Sequence, residues 1–109
     1  MTADDGFDVR WQGASIPEKY WHFHRRLYTR CGIIMAPGDF SDMMTGLSNG
    51  TALFLLKRKR TRDLYAWRLK STGQFIYVLA SKGVPHTVLP YSNKLRRLRR
   101  QVARIERLK

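Results

Sequence analysis

Four short segments between residues 51 and 89 constrain the fold of this chain more than any other feature. They cover residues 51–58, 64–70, 75–80 and 84–89, and all are rich in β-branched, aromatic or leucine residues. The connections between them are only three to five residues long and contain Gly, Ser, Thr and charged residues. Because connections this short form hairpins, the sequence predicts a four-stranded antiparallel meander.

A helix is predicted ahead of these strands, from Ser15 to about Arg30. Ser15 can cap it, Pro17 suits its first turn, and Glu18 stands where a capping box places a carboxylate. Gly32 is a natural stop. Apolar residues at near-helical spacing predict the buried face, which consists of Ile16, Tyr20, Phe23 and Leu27.

Two further helices are predicted on either side of the strands. The first opens at Pro37, ends at residues 48–50 and turns Phe40, Met43, Met44 and Leu47 inward. The last follows Pro90, with Ser92 or Asn93 as its cap. Its apolar stripe packs on the body of the protein or, as an alternative, forms a dimer seam, and consists of Leu95, Leu98, Val102 and Ile105.

These elements predict an α+β protein with two N-terminal helices, a four-stranded antiparallel meander and a basic C-terminal helix. The corresponding organisation is a flexible arm over residues 1–14, an α+β domain over residues 15–90 and a basic helix over residues 91–109. A single cysteine, Cys31, cannot form an internal disulfide and is interpreted as a small packing residue.

Positive charge is concentrated toward the C-terminus. The chain has 21 Lys and Arg against 8 Asp and Glu, a net charge of +13, and residues 51–109 alone carry sixteen bases and two acids. Such a field favours polyanions, namely RNA, DNA, an anionic membrane surface or an acidic protein. No apolar run approaches the ~20 residues of a membrane span, and the acidic N-terminus is unlike a signal peptide. We therefore expect a cytoplasmic protein without a membrane partner.

The first predicted helix carries an imidazole and two guanidiniums spaced by four residues. His22, Arg26 and Arg30, which we call the basic row, lie on one helix face. Imidazole exchanges a proton near neutral pH, and arginine holds phosphate and the extra charge of a phosphoryl transition state. Arg25 lies beside the row and His24 nearer the apolar side. The row therefore predicts either a phosphate site or a solvated basic face that carries a lone histidine.

Further candidates lie on the strands. His86 and Thr87 are adjacent in the last segment, so alternation sends only one of them to a given face. Two basic groups suit contacts to a nucleic-acid backbone. The first lies at a hairpin tip and consists of Lys57, Arg58, Lys59, Arg60 and Arg62. The second lies on the last helix and consists of Arg96, Arg97, Arg99 and Arg100.

Aromatic residues on the inner strands have two interpretations. Tyr65, Trp67, Phe75 and Tyr77 could stack bases, as in proteins that bind single-stranded RNA, but we favour a core role for them. No Cys/His metal spacing, phosphate-binding glycine loop or nucleophile elbow is present, so no metal or cofactor is predicted. Acidic residues after Glu18 are too sparse for a two-metal nuclease: Asp39, Asp42, Asp63 and Glu106.

The order of motifs resembles small bacterial and phage proteins of the barnase/EndoU/colicin/RelE-like ribonuclease superfamily. In one branch a helix of the form His-x-x-x-Arg-(x)-x-x-Arg-Gly-Ile precedes the meander, whose last strand carries a Thr near its end. The match runs from about Lys19 to Pro90 and places the turn at Gly32. This chain has one additional residue, Cys31, before that glycine, and its basic C-terminal helix is not part of the minimal fold.

The resemblance implies metal-independent RNA cleavage by attack of the 2′-hydroxyl on the adjacent phosphate, as in a toxin or phage endonuclease. His22 would be the general base or acid. The clamps for phosphate and transition state would be Arg26 and Arg30. Thr87, with His86, would assist from the facing strand, while the basic hairpin and C-terminal helix would hold the RNA.

Two other functions remain open from the sequence. One is a non-catalytic RNA- or DNA-binding regulatory protein on the same fold, whose binding would depend strongly on salt. The other is an interaction protein whose basic surface docks an acidic partner, such as an antitoxin or a host protein. RNA is the preferred nucleic acid in our interpretation, and a homodimer through the last helix is the alternative assembly.

Overall fold

A four-stranded sheet lies between two helices on one face and a single helix on the other. The computed structural model describes residues 16–108, except for the side chain of Lys59. A 3₁₀ turn over Glu18–Tyr20 precedes the first α-helix. The helices are α1 (Trp21–Cys31), α2 (Pro37–Asn49) and α3 (Asn93–Arg107), and the strands are β1 (Leu53–Lys59), β2 (Arg62–Arg68), β3 (Phe75–Ser81) and β4 (Val84–Leu89).

The predicted α+β class and the predicted meander are confirmed. The strands are adjacent in chain order, β1-β2-β3-β4, and every neighbouring pair is antiparallel. The first hairpin is tighter than predicted, because Lys59 pairs with Arg62 and leaves only two residues between the strands. Much of the basic cluster therefore lies on paired strands rather than in a loop.

Strand β3 is buried on both faces, whereas β2 is buried on one face and half-buried on the other. In β3, Ile76 and Val78 face α1 and α2, whereas Tyr77 and Leu79 face α3. Alternation of a strand with period two explains why consecutive residues enter different cores. The predicted inward faces of the first two helices are confirmed, with Ile16 and Met44 partly buried and the following residues buried: Tyr20, Phe23, Leu27, Phe40, Met43 and Leu47.

The start of α1 differs from the prediction. Pro17 is followed by the 3₁₀ turn, and the α-helix itself begins at Trp21. The predicted arm over residues 1–14 and the Ser15 cap lie outside the described residues. At the other end, Gly32 adopts a φ of 68° and ends the helix as predicted, because this left-handed conformation is accessible to glycine without steric cost.

Helix α3 begins and packs largely as predicted. The Oγ of Ser92 accepts a hydrogen bond from the backbone N–H of Leu95 at 3.1 Å, which identifies the cap. Leu95, Leu98 and Val102 pack against the sheet. Ile105 is 51% exposed, so its predicted place in the packed stripe is wrong: the helix extends past the apolar surface there. Across the described residues, no helix is both long and apolar enough to cross a membrane.

Candidate functional site

A cleft of about 350 Å³ lies where the beginning of α1 meets the beginning of β4. Its lining combines two imidazoles with two cationic side chains. We call it the histidine cleft, and its lining residues are Lys19, His22, Arg62, Val84, Pro85, His86 and Thr87. His86 and Thr87 of β4 therefore share a concave surface with His22 of α1, and all three were predicted site residues.

Packing of α1 against β4 places His22 at this cleft. Phe23 and Leu27 are buried against the sheet and fix the rotation of the helix. His22 precedes Phe23 by one residue and is exposed. One step along an α-helix turns the chain by about 100°, so His22 leaves the core and reaches the margin of β4.

A bulge in β4 explains why His86 and Thr87 both line the cleft. Leu79 pairs with Thr87, but its neighbour Ala80 pairs with Pro85, so His86 is the additional residue on β4. Alternation predicted that only one of the two side chains could face a given site, and both residues contribute to the lining because a bulge redirects the chain around it.

Thr87 contributes to the wall of the cleft in a limited way. Its Oγ1 is buried and has no hydrogen-bond partner within the described part of the chain. The hydroxyl is therefore not presented at the surface of the cleft.

The basic row does not act as one unit. Arg26 is exposed and does not line the histidine cleft, and neither does Arg30. The Nη1 of Arg30 donates to the backbone carbonyl of Val88 at 2.8 Å. The thiol of Cys31 donates to the carbonyl of Leu89 at 3.7 Å. These contacts attach the end of α1 to the edge strand β4 and cover its carbonyls, which protects the edge from pairing with another chain.

The two cationic residues of the histidine cleft are Lys19 and Arg62, whereas the sequence interpretation expected Arg26 and Arg30 beside His22. Lys19 was not singled out from the sequence, although its spacing of three residues before His22 is a helical signal. Arg62 was assigned to backbone binding but lies half-buried in the cleft. Only the pairing of β2 with β3 brings Arg62 to this end of the sheet, and no local sequence pattern reveals that.

The neighbouring histidine, His24, has a different environment. It is 1% exposed and its ring lies 4.9 Å from the ring of Phe40 and 5.8 Å from that of Phe23, centroid to centroid. Burial lowers the pKa of His24 from 6.5 to about 4, because desolvation disfavours the imidazolium. His24 is therefore a neutral core residue at neutral pH, which agrees with the choice of His22 over His24.

The remaining predicted nucleic-acid contacts lie on the outer surface. Lys57 is within 3.5 Å of Asp63, an exposed ion pair of small energetic value. Arg99 is partly buried on α3, and the other described members are exposed: Arg25, Arg58, Arg60, Arg96, Arg97 and Arg100. Because α3 packs against β1, the two basic groups occupy adjacent elements.

The four aromatic residues of the inner strands do not form a single platform. Tyr65 and Trp67 pack against the core beneath α1 and α2, whereas Phe75 and Tyr77 belong to the opposite face. A strand of RNA could not stack on all four at once. The core interpretation fits Trp67 and the buried Tyr77 best.

The histidine cleft has the electrostatic character of an anion site. None of its lining residues carries a carboxylate. Within residues 16–108, no three or more His, Cys, Asp and Glu side chains are grouped as a metal ion would require. Burial raises the pKa of the Cys31 thiol, with Arg30 opposing that effect, and so disfavours a thiolate nucleophile.

Two imidazoles in one cleft can divide a proton transfer between them. One can accept a proton while the other donates one, and the adjacent ammonium and guanidinium can hold a phosphate. Comparisons with protein-family models, with curated proteins and with solved structures found no match to this chain. The geometry of the cleft therefore carries the functional argument by itself.

Proposed function

We propose that the protein is a metal-independent endoribonuclease and that the histidine cleft is its active site. The observation that supports this most directly is the meeting of His22 and His86 in a cleft that also contains Lys19 and Arg62. The resemblance to the barnase/EndoU/colicin/RelE-like superfamily points to the same reaction, with His22 in the same role.

The reaction is an internal transfer of the phosphoryl group. One imidazole removes the proton of the 2′-hydroxyl, whose oxygen forms a bond to phosphorus. The bond from phosphorus to the 5′-oxygen breaks, and the other imidazole donates a proton to that leaving oxygen. The products are a 2′,3′-cyclic phosphate and a 5′-hydroxyl. His22 and His86 are the proposed pair.

Charge stabilisation is assigned to Lys19 and Arg62 in this proposal. An ammonium and a guanidinium beside the reacting phosphate stabilise the additional negative charge of the transition state. Arg30 is instead a positioning residue, because its bond to Val88 holds β4, and with it His86, against α1. The exposed cations of the β1–β2 hairpin and of α3 would hold the RNA backbone outside the cleft.

The test is cleavage of a short end-labelled RNA by purified protein in EDTA, with detection of the cyclic phosphate. We expect the wild type to cut, and His22→Gln and His86→Gln each to lose about 10²–10⁴-fold in rate. A substrate with a single 2′-deoxyribose at the cut site should resist cleavage there. Tyr28→Gln, on an exposed position of α1 outside the cleft, serves as the control and should cut normally.

A second pair of variants separates the cleft from the basic row. Arg62→Gln should reduce the rate more than Arg26→Gln, since only Arg62 lines the cleft. Retention of RNA without any product in EDTA would contradict the nuclease and favour a regulatory binding protein. Failure to retain RNA at ~150 mM salt, with co-purification of an acidic protein, would favour the interaction protein.

A further inference from the structure

A second cleft, of about 580 Å³, lies at the opposite end of the sheet and beneath the beginning of α3. Phe75 is the first residue of β3, whereas the histidine cleft lies beside the last residues of that strand, where Pro85 pairs with Ala80 and Val84 with Ser81. A seven-residue strand is about 20 Å long, so the two clefts are separate sites. We call this one the tyrosine cleft, and its characteristic side chains are Gln74, Phe75, Tyr77, Tyr91, Arg96 and Arg99.

Three aromatic rings form one part of the tyrosine cleft. Tyr91 is 45% exposed, and its ring stands edge-on to that of Tyr77 with 6.3 Å between the centroids. Phe75 is half-buried beside them. An exposed ring held by a buried one in a concave surface suits a flat aromatic ligand, because stacking removes apolar area of both from water.

Two arginines form the other part. The guanidinium of Arg99 lies 3.8 Å from the ring centre of Phe75, and its Nε donates to the Oη of Tyr77 at 3.3 Å. These contacts fix the plane of the guanidinium while its terminal nitrogens carry further donors. Arg96 donates to the Oδ1 of Asn93 at 3.4 Å. None of the residues that line this cleft is acidic, so both positive charges can act on an anion.

We propose that the tyrosine cleft binds a nucleotide. The base stacks on Tyr91, the phosphate lies against Arg96 and Arg99, and the amide of Gln74 reaches the edge of the base. The cleft volume falls within the range of small-ligand sites. The nucleotide is either a free mononucleotide or one nucleotide of an RNA strand, and both share this chemistry. The proposal is independent of RNA cleavage.

Calorimetric titration with the four ribonucleoside monophosphates tests the proposal. We expect Arg96→Gln to weaken binding about tenfold or more, since a hydrogen bond to a charged group is lost. Lys82→Gln removes one positive charge from the exposed turn between β3 and β4 and should change affinity less than twofold, because Lys82 does not line the cleft. Tyr91→Leu should weaken nucleotides but not inorganic phosphate.

Competition by a short RNA identifies the source of the nucleotide. With His22→Gln as the protein, so that cleavage cannot interfere, displacement of the mononucleotide by the RNA indicates a strand-binding subsite. Binding of the mononucleotide without such competition indicates a free ligand. Equal losses in Arg96→Gln and Lys82→Gln, or binding of no nucleotide by the folded wild type, would overturn the proposal. Either result would leave the proposed RNA cleavage at the histidine cleft untouched, because that proposal is tested by its own cleavage assay.

Discussion

The two faces of the sheet are covered by helices in different ways. On one face, α1 and α2 enclose large side chains such as Phe23 and Met43 completely. On the other face, α3 has no fully buried residue, and its apolar stripe is only half-buried. The first face is a packed core, and the second is an amphipathic helix laid over a sheet.

This difference shapes both proposed sites. On the well-packed face, α1 is fixed closely enough for His22 to meet side chains from two strands. On the α3 face, looser covering leaves rings and arginines accessible to solvent and opens the tyrosine cleft. The comparison teaches that dense packing can hold side chains from several helices and strands in fixed positions, whereas partial packing leaves an open cleft that a ligand can enter.

The largest expected effect contrasts one leucine from each face. Leu27→Ala removes a side chain with 0% exposure and should lower the free energy of unfolding by about 2–5 kcal/mol. Leu98→Ala, in the half-buried stripe of α3, should cost about 1 kcal/mol, since less area is lost and alanine favours a helix. Urea unfolding followed by circular dichroism measures both. Equal losses would remove the contrast between the faces.

Acid should weaken the face covered by α1 and α2 through His24. The pKa of His24 is about 4 in the folded protein and 6.5 in the unfolded chain. Between these values only the unfolded chain takes up the proton, so stability is complete above pH 6.5 and is lost as the pH falls toward 4. The difference corresponds to about 3 kcal/mol.

The variant His24→Leu should remove this part of the acid sensitivity. Unfolding free energies measured from pH 7 to pH 4 should fall less steeply than in the wild type, whatever the absolute stability of the variant. His22→Gln, at an exposed position of the same helix, is the control and should retain the steep dependence. An unchanged slope in His24→Leu would show that other groups cause the acid sensitivity.

The smallest expected effect concerns the contact between α2 and β2. A Cβ on Gly46 would overlap the indole of Trp67, with Cη2 only 2.6 Å away, so Gly46→Ala should destabilise by about 1–3 kcal/mol. Gly38→Ala, in the same helix, meets no atom within 4 Å and should be neutral or stabilising. Thermal unfolding of both variants measures the difference. A loss in Gly38→Ala as large as that in Gly46→Ala would argue against close packing as the cause.

Much of the fold follows from local sequence patterns. The apolar spacing of Phe23 and Leu27 predicts the buried face of α1, and short polar connections predict the meander. Gly32 marks the end of the helix because its left-handed conformation excludes most other residues. Such signals depend on neighbours within a turn or a hairpin, so they can be read without the tertiary structure.

The candidate sites depend on contacts that no local pattern contains. Residues of the basic row share a helix face, yet only His22 reaches the histidine cleft, because Arg30 bonds to β4. Arg62 enters the same cleft through strand pairing, and a bulge adds His86 beside Thr87. In the same way, the pleat of the sheet separates the four strand aromatics into two cores.

The sequence by itself therefore determined the α+β class, the helix faces and the position of His24 nearer the core than His22, since each depends on periodicity and local burial. Only the tertiary structure decided which cations accompany His22 and that Phe75, Tyr91 and Arg99 line one cleft. The physical reason is distance along the chain: these groups are brought together by strand register and helix docking, which bring residues far apart in sequence into contact.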